Sequence, residues 1–184
     1  YFSRQIDESL MAWKNSTRHK PLLLRGARQV GKSSSVRHLA KQFDNFVEIN
    51  FERKPAYLEI FQGDRDAKHI VEMIKSITGK PIVPGKTLLF LDEIQMCQEA
   101  ISSLRFFWED MPELHVIAAG SLLEFALNEI PTFGVGRIHS MFMYPMSFDE
   151  FLNALGMTSL QHQKREASME KPLLSALHEQ LVAL

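Results

Sequence analysis

Gly26-Ala27-Arg28-Gln29-Val30-Gly31-Lys32-Ser33 sets two glycines five residues apart and follows the second with a lysine and a hydroxyl. Phosphate groups need several backbone N–H donors converging on one point, and glycine lets the chain curl that tightly without steric cost. Lys32 supplies a point charge for the β and γ phosphates, and the Ser33 hydroxyl is a ligand for Mg²⁺. The whole loop from Gly26 to Ser33, with Ser34 beside it, is therefore the candidate nucleotide cradle. Sixty residues beyond Lys32, the apolar run Leu88-Leu89-Phe90-Leu91 delivers Asp92 and Glu93 at its tip. In that position Asp92 holds Mg²⁺ through a water, and Glu93 orients and polarises an attacking water, the general-base role that hydrolysis requires. Alone, the acidic pair would read as a cap on the next helix; the cradle upstream favours the catalytic reading.

Two further positions are candidates. Gly120-Ser121 ends another apolar run, where the Ser121 hydroxyl either senses the γ phosphate or N-caps a helix with Glu124 completing a capping box. Arg137 follows a stretch containing Pro131, Gly134 and Gly136, and an arginine held near a nucleotide stabilises transition-state charge in cis or from a neighbour; otherwise it is a surface arginine. Arg28 reads better as a contact on the loop surface, and Arg105 is a weaker candidate. The seven histidines show no metal-ligand spacing and read as solvated or structural. Phe106-Phe107-Trp108 cannot all face one side of a helix, so two of them are expected in the core.

The elements that must position these residues follow from periodicity. A helix is expected over Ile6–Trp13, a buried strand over Pro21–Arg25, and a helix over Gly31–Phe43. Phe46–Phe51 alternates as a strand. Helical pieces follow at Ala56–Phe61 and Asp64–Ile77, the latter capped by Asp64 and stopped by Gly79. Thr87–Leu91 and Leu114–Ala119 are buried strands flanking a helix over Glu99–Glu109, and a fifth strand is expected near Ile138–Tyr144. Ser147 with Glu150 forms a capping box for a further helix. Strand–helix alternation predicts an α/β fold, a parallel sheet with helices on both faces and ligands at the carboxyl ends of its strands. The three polar clusters all sit at such ends. Past Leu155 the chain turns polar over 156–171, a solvated helix or linker before a last helix over Pro172–Leu184.

The bounds are those of a globular chain: 184 residues, 45% hydrophobic, 23% charged and a formal net charge of −1. There is no overall basic field for nucleic acid or an anionic membrane, although balanced totals allow a local basic patch. A single cysteine, Cys97, forms neither an internal disulfide nor a cysteine metal site and fits the cytoplasm. No apolar run is long enough to cross a membrane. The first residue is Tyr1 and the chain stops inside a helical pattern, so both ends are expected to be cuts. A GTPase would carry a base-reading Asn/Thr-Lys-x-Asp string and a glycine where Gln95 stands. A small-molecule kinase has little use for a water-activating carboxylate at Glu93.

The run Pro21–Ser33, the run Thr87–Gln95, Ala119–Glu124, Gly136-Arg137 and Tyr144–Phe151 together resemble the prokaryotic AAA-family ATPases that carry an N-terminal ATPase core and a separate C-terminal domain. The resemblance implies a P-loop NTPase fold of AAA+/ASCE type over 1–155, with 156–184 a helical linker or the start of a truncated C-terminal region. It implies ATP and Mg²⁺ as ligands, with Lys32, Ser33, Asp92 and Glu93 carrying the nucleotide chemistry. It also implies Ser121 at a γ-phosphate-sensing strand tip and Arg137 as a nucleotide-responsive arginine. Ser33 stands where the family more often has threonine, which keeps the hydroxyl. The expected activity is ATP hydrolysis coupled to a conformational change in an attached C-terminal domain or protein partner, with homo-oligomers as a further option. The alternative is a slow-turnover, nucleotide-dependent switch that controls partner docking.

Overall fold

The computed structural model describes residues 1–63, 66–121, 123, 136–167 and 174–182, which divide into two compact units, Ile6–Pro145 and Tyr1–Gln5 with Met146–Leu184. The first unit holds helix α1 (Ile6–Lys14), strand β1 (Leu22–Arg25), α2 (Lys32–Ala40), β2 (Asn45–Asn50), a 3-10 helix (Pro55–Phe61), α3 (Ala67–Thr78), β3 (Thr87–Asp92), a 3-10 turn (Ile94–Met96), α4 (Gln98–Asp110), β4 (His115–Ala119) and β5 (His139–Phe142). The strands form one sheet in the order β2-β3-β4-β1-β5, every neighbouring pair parallel. This is the expected α/β fold.

Strand position explains strand composition. Every residue of β3 and β4 is buried, because both lie inside the sheet with cover on each face. The two-residue period sorts their side chains: Leu89, Leu91, Val116 and Ala118 join Val47 and Ile49 on one face, packed by Ile70 and Ile74 of α3 and by Ile101, Leu104 and Phe107 of α4. Leu88, Phe90, Ile117 and Ala119 join Leu22 and Leu24 on the other face, under Leu10 and Trp13 of α1 and Val36 and Leu39 of α2. Fully burying a leucine or phenylalanine side chain contributes roughly 1.5–3 kcal/mol, so these two layers are the main source of stability. The edge strands β2 and β5 are only partly covered. Of the aromatic run, Phe107 is buried, Phe106 packs against the same core, and Trp108 is half-buried.

Some boundaries differ from expectation. Asp64 lies outside the described residues; the α3 cap is Asp66, whose extended backbone brings its carboxylate to the Lys68 N–H at 2.8 Å. Gly79 ends α3 in a left-handed conformation, as expected. Helix α2 stops at Ala40, and residues 41–43 continue as tighter turns closed by i→i−3 bonds. The piece around Ala56–Phe61 is 3-10 rather than α-helical.

In the other unit, α5 (Phe148–Ala154) opens with the expected capping box, α6 (Thr158–Glu166) follows, and α7 (Ser175–Val182) lies within the span read as the last helix. The Glu150 carboxylate also accepts from the Gln5 N–H (2.7 Å) and from Arg4 Nε (3.0 Å). Burial pushes the Glu150 pKa up, but the bonds from Gln5, Ser147 and Arg4 outweigh it and hold the carboxyl below its ordinary range. Lys164 and Arg165 of α6 both pair with Asp149, fastening α6 to α5.

Candidate functional site

The cradle leaves the sheet through a close approach. Gly26 has φ of 140°, and a Cβ there would run into the backbone oxygen of Met143, just past β5. Gln29 and Gly31 also take positive φ, 61° and 103°. Left-handed residues alternating with right-handed ones turn successive backbone N–H groups to one side, forming an anion-binding concavity. Helix α2 then starts at Lys32 with no acidic residue in its first turn and no side-chain cap at Gly31. Its positive N-terminal end is thus left for a ligand. Lys32 is only 8% exposed, and its ammonium donates to the carbonyls of Gly26 (2.9 Å) and Ala27 (2.7 Å). Burial lowers its pKa, and the charges of Glu93 and Asp92 oppose that shift. A buried cation over a glycine-formed, uncapped concavity is a donor set that fits a polyphosphate.

Strand order brings the acidic pair to this loop. β4 lies between β1 and β3, so the cradle, Ser121 and Asp92 emerge side by side at the carboxyl end of the sheet. The Ser33 hydroxyl donates to Asp92 Oδ1 and Oδ2 at 2.9 and 3.1 Å, and Asn50 Nδ2 donates to Oδ2 at 3.0 Å. Arg37 of α2 grips Glu48 with two hydrogen bonds, 2.6 and 3.0 Å, and its Nη2 lies 3.7 Å from Asp92 Oδ2. Burial raises the Asp92 pKa against the opposing hydrogen bonds from Ser33 and Asn50. Paired hydroxyl and carboxylate oxygens, one of them buried, are the hard-oxygen donors that Mg²⁺ takes. Glu93 sits in a left-handed backbone conformation (φ 54°) and caps nothing with its side chain. Its Oε2 accepts from Gln95 Nε2 at 2.6 Å. Gln95 Oε1 is buried without a hydrogen-bond partner and fills the space where a Cβ on Gly120 would fall.

These elements enclose a cleft of about 480 Å³ lined by Arg28, Gln29, Gly31, Lys32, Ser33, Ser34, Glu52, Glu93 and Ser121. Asp92 stands behind Ser33, while Val30 turns into the core under α2. Ser121 is buried at the β4 tip; the capping box expected with Glu124 falls outside the described residues. Arg105 lies over the Phe106 ring (4.5 Å) and does not line the cleft. Arg137 is not brought to this cleft either. β5 runs parallel to β1 with His139 opposite Leu22 and Phe142 opposite Arg25, so Arg137 lies at the amino end of the sheet. At least the length of β5, roughly 13 Å, separates it from the cradle. There its guanidinium pairs with Glu109 at the end of α4 (2.8 Å).

Sequence reasoning missed Asn50, Arg37, Glu52 and Gln95. Asn50 had a signal, a polar residue closing an alternating strand; Arg37 and Glu52 had none, because their place depends on which strands are neighbours. Among the described residues no cluster of three or more His, Cys, Asp or Glu could hold a metal, and no helix is long and apolar enough to cross a membrane. The family model described as AAA domain matches residues 18–152, which takes in the cradle, the acidic pair and the β4 tip. No curated protein matches the chain.

Proposed function

Because the chain belongs to the AAA domain family, whose members are typically P-loop ATPases, we propose that it binds ATP with Mg²⁺ and hydrolyses the γ phosphate. The single observation that supports this best is the hydrogen bond from Ser33 to Asp92, which joins two motifs far apart in sequence beside Lys32 and Glu93. The cradle amides and Lys32 hold the β and γ phosphates, Lys32 exchanging its bonds to the loop carbonyls for phosphate oxygens. Ser33 and Asp92 would hold the metal. Mg²⁺, when bound, supplies a Lewis acid that draws charge from the phosphate oxygens. Glu93 accepts a proton from the attacking water as its oxygen bonds to the γ phosphorus and ADP leaves, and later releases that proton to solvent. Gln95 fixes the Glu93 carboxylate before that transfer, and Ser121, which lines the same cleft, would sense the γ phosphate.

Arg137 acts in trans. Its position at the amino end of the sheet, paired with Glu109, puts it beyond reach of its own cradle, so a role toward a nucleotide requires a second copy and release of that pair. In a second reading the chain alone binds ATP and turns it over slowly, and assembly with another copy supplies the arginine. The energy then drives a change in an attached C-terminal domain or partner. The test is a calorimetric ATP titration with and without Mg²⁺, on wild type and Lys32→Ala. Binding strengthened by Mg²⁺ and strongly weakened in the variant is expected; Lys32→Ala binding ATP as wild type does would overturn the assignment.

A further inference from the structure

A second cleft, about 470 Å³, opens along the edge strand β2, between α2, the 3-10 helix and the end of α3. It is lined by four cations, Arg37, Arg53, Lys54 and Lys80, against a single carboxylate, Glu48, in a chain whose formal net charge is −1. Glu48 is already committed to Arg37 through two hydrogen bonds. The other three cations have no carboxylate partner among the described residues. Lys80 Nζ reaches only the Phe46 carbonyl at 3.4 Å, Lys54 Nζ lies 5.5 Å above the Tyr57 ring, and Arg53 is anchored through its backbone N–H by Asn50 Oδ1 at 2.8 Å. That anchor fixes where the Arg53 side chain starts without neutralising it. Like charges gathered on one concave surface repel one another and raise the local concentration of anions. The carbonyl end of α3 offsets part of the charge at Lys80 and leaves Arg53 and Lys54 uncompensated.

The ligand's chemistry follows from the lining. One uncommitted guanidinium, that of Arg53, and the two ammonium groups of Lys54 and Lys80 match phosphate oxygens in geometry and charge density. The only aromatic residue in the cleft, Tyr57, is 8% exposed, so no ring face stands free for the bases of a single strand to stack on. The cleft's volume falls within the range of small-molecule sites. We propose that this cleft binds a compact polyphosphate, a diphosphate group or longer, at a site separate from the Lys32 cradle. The site stands whether or not the chain hydrolyses ATP.

The probe is inorganic pyrophosphate without metal, titrated by calorimetry into Lys32→Ala protein, in which the cradle has lost its cation. Saturable binding is expected, weakened at least tenfold when Arg53→Glu and Lys80→Glu are added, and less by the milder pair Arg53→Gln and Lys80→Gln. Both pairs replace side chains outside the core, and melting temperatures matching the parent confirm that the fold is kept. Absence of saturable binding to the Lys32→Ala protein, or binding indifferent to both pairs, overturns the proposal. A single-stranded oligonucleotide that binds this cleft more tightly than pyrophosphate also overturns it, in favour of a nucleic-acid groove.

Discussion

Lys32 and Asp92 are both buried charges whose ionisation the fold opposes, Lys32 shifted down and Asp92 shifted up. Lys32 gives up its proton below the ordinary lysine range, and Asp92 keeps its proton above the ordinary carboxylate range. ATP·Mg²⁺ affinity should therefore fall on the alkaline side as Lys32 neutralises and on the acid side as Asp92 protonates, as a pH series of binding constants will read. Replacing Lys32 with Ala should weaken ATP binding by about 2–3 kcal/mol, some 30- to 150-fold, the worth of hydrogen bonds from a charged donor. Gln95 gives a sharper test of the proposed positioning. One end of its amide holds Glu93 and the other is buried unpartnered, so Gln95→Leu removes an unsatisfied oxygen as well as a useful bond. Turnover should drop about 10- to 100-fold as Glu93 loses its orientation, while ATP affinity and thermal stability hold. A variant that loses stability and affinity in step with turnover would make Gln95 structural.

The amino end of β4 carries a feature that periodicity does not reveal. His115 and His19, read from sequence only as solvated or structural, stack at 3.6 Å between ring centroids, both edge-on to Trp13 of α1. His115 Nε2–H donates to the Lys14 carbonyl (3.0 Å), which leaves Nδ1 a buried acceptor without a partner. Burial, with the neighbouring His19 and Lys14 adding to it, lowers the His115 pKa to about 4. Above pH 6.5 neither the folded nor the unfolded chain carries this proton, and His115 contributes nothing to pH dependence. Below it the unfolded chain takes the proton and the folded chain refuses, so stability declines until about pH 4 and then levels. The loss at the plateau should be about 3 kcal/mol. Urea midpoints at pH 7 and pH 4.5 should diverge less in His115→Gln than in wild type; equal divergence would remove His115 from the account. Legibility followed the same physics. Buried runs such as Leu88–Leu91 announced β3 because a strand covered on both faces must be apolar throughout. Edge strand β5 was placed only approximately, because half-covered residues constrain composition less. Asp66 and Asp64 offer the same capping chemistry two residues apart, so residue type alone could not single out Asp66 as the cap. The cradle's glycines were legible as a pattern, yet the reason Gly26 admits no side chain, the Met143 backbone, lies 117 residues away.

For the molecule as a whole, residues 18–152 carry the AAA domain match, and the open issue is what one copy can do unaided. Ser33, Asp92, Lys32, Glu93 and Ser121 gather within one copy, whereas Arg137 sits at the opposite end of the same sheet. If Arg137 serves a neighbour's nucleotide, Arg137→Ala and Glu93→Gln proteins, each inactive alone, should regain about a quarter of wild-type turnover when mixed in equal amounts. Failure of the mixture to recover would place Arg137 outside the reaction or require another contact. The most direct measurement remains steady-state phosphate release from ATP and Mg²⁺ by the purified chain beside its Glu93→Gln variant. Measurable turnover, reduced about 10²- to 10⁴-fold by Glu93→Gln with ATP binding retained, is the predicted result. Equal turnover by the two proteins would contradict Glu93 as the general base and with it the hydrolytic account of the site.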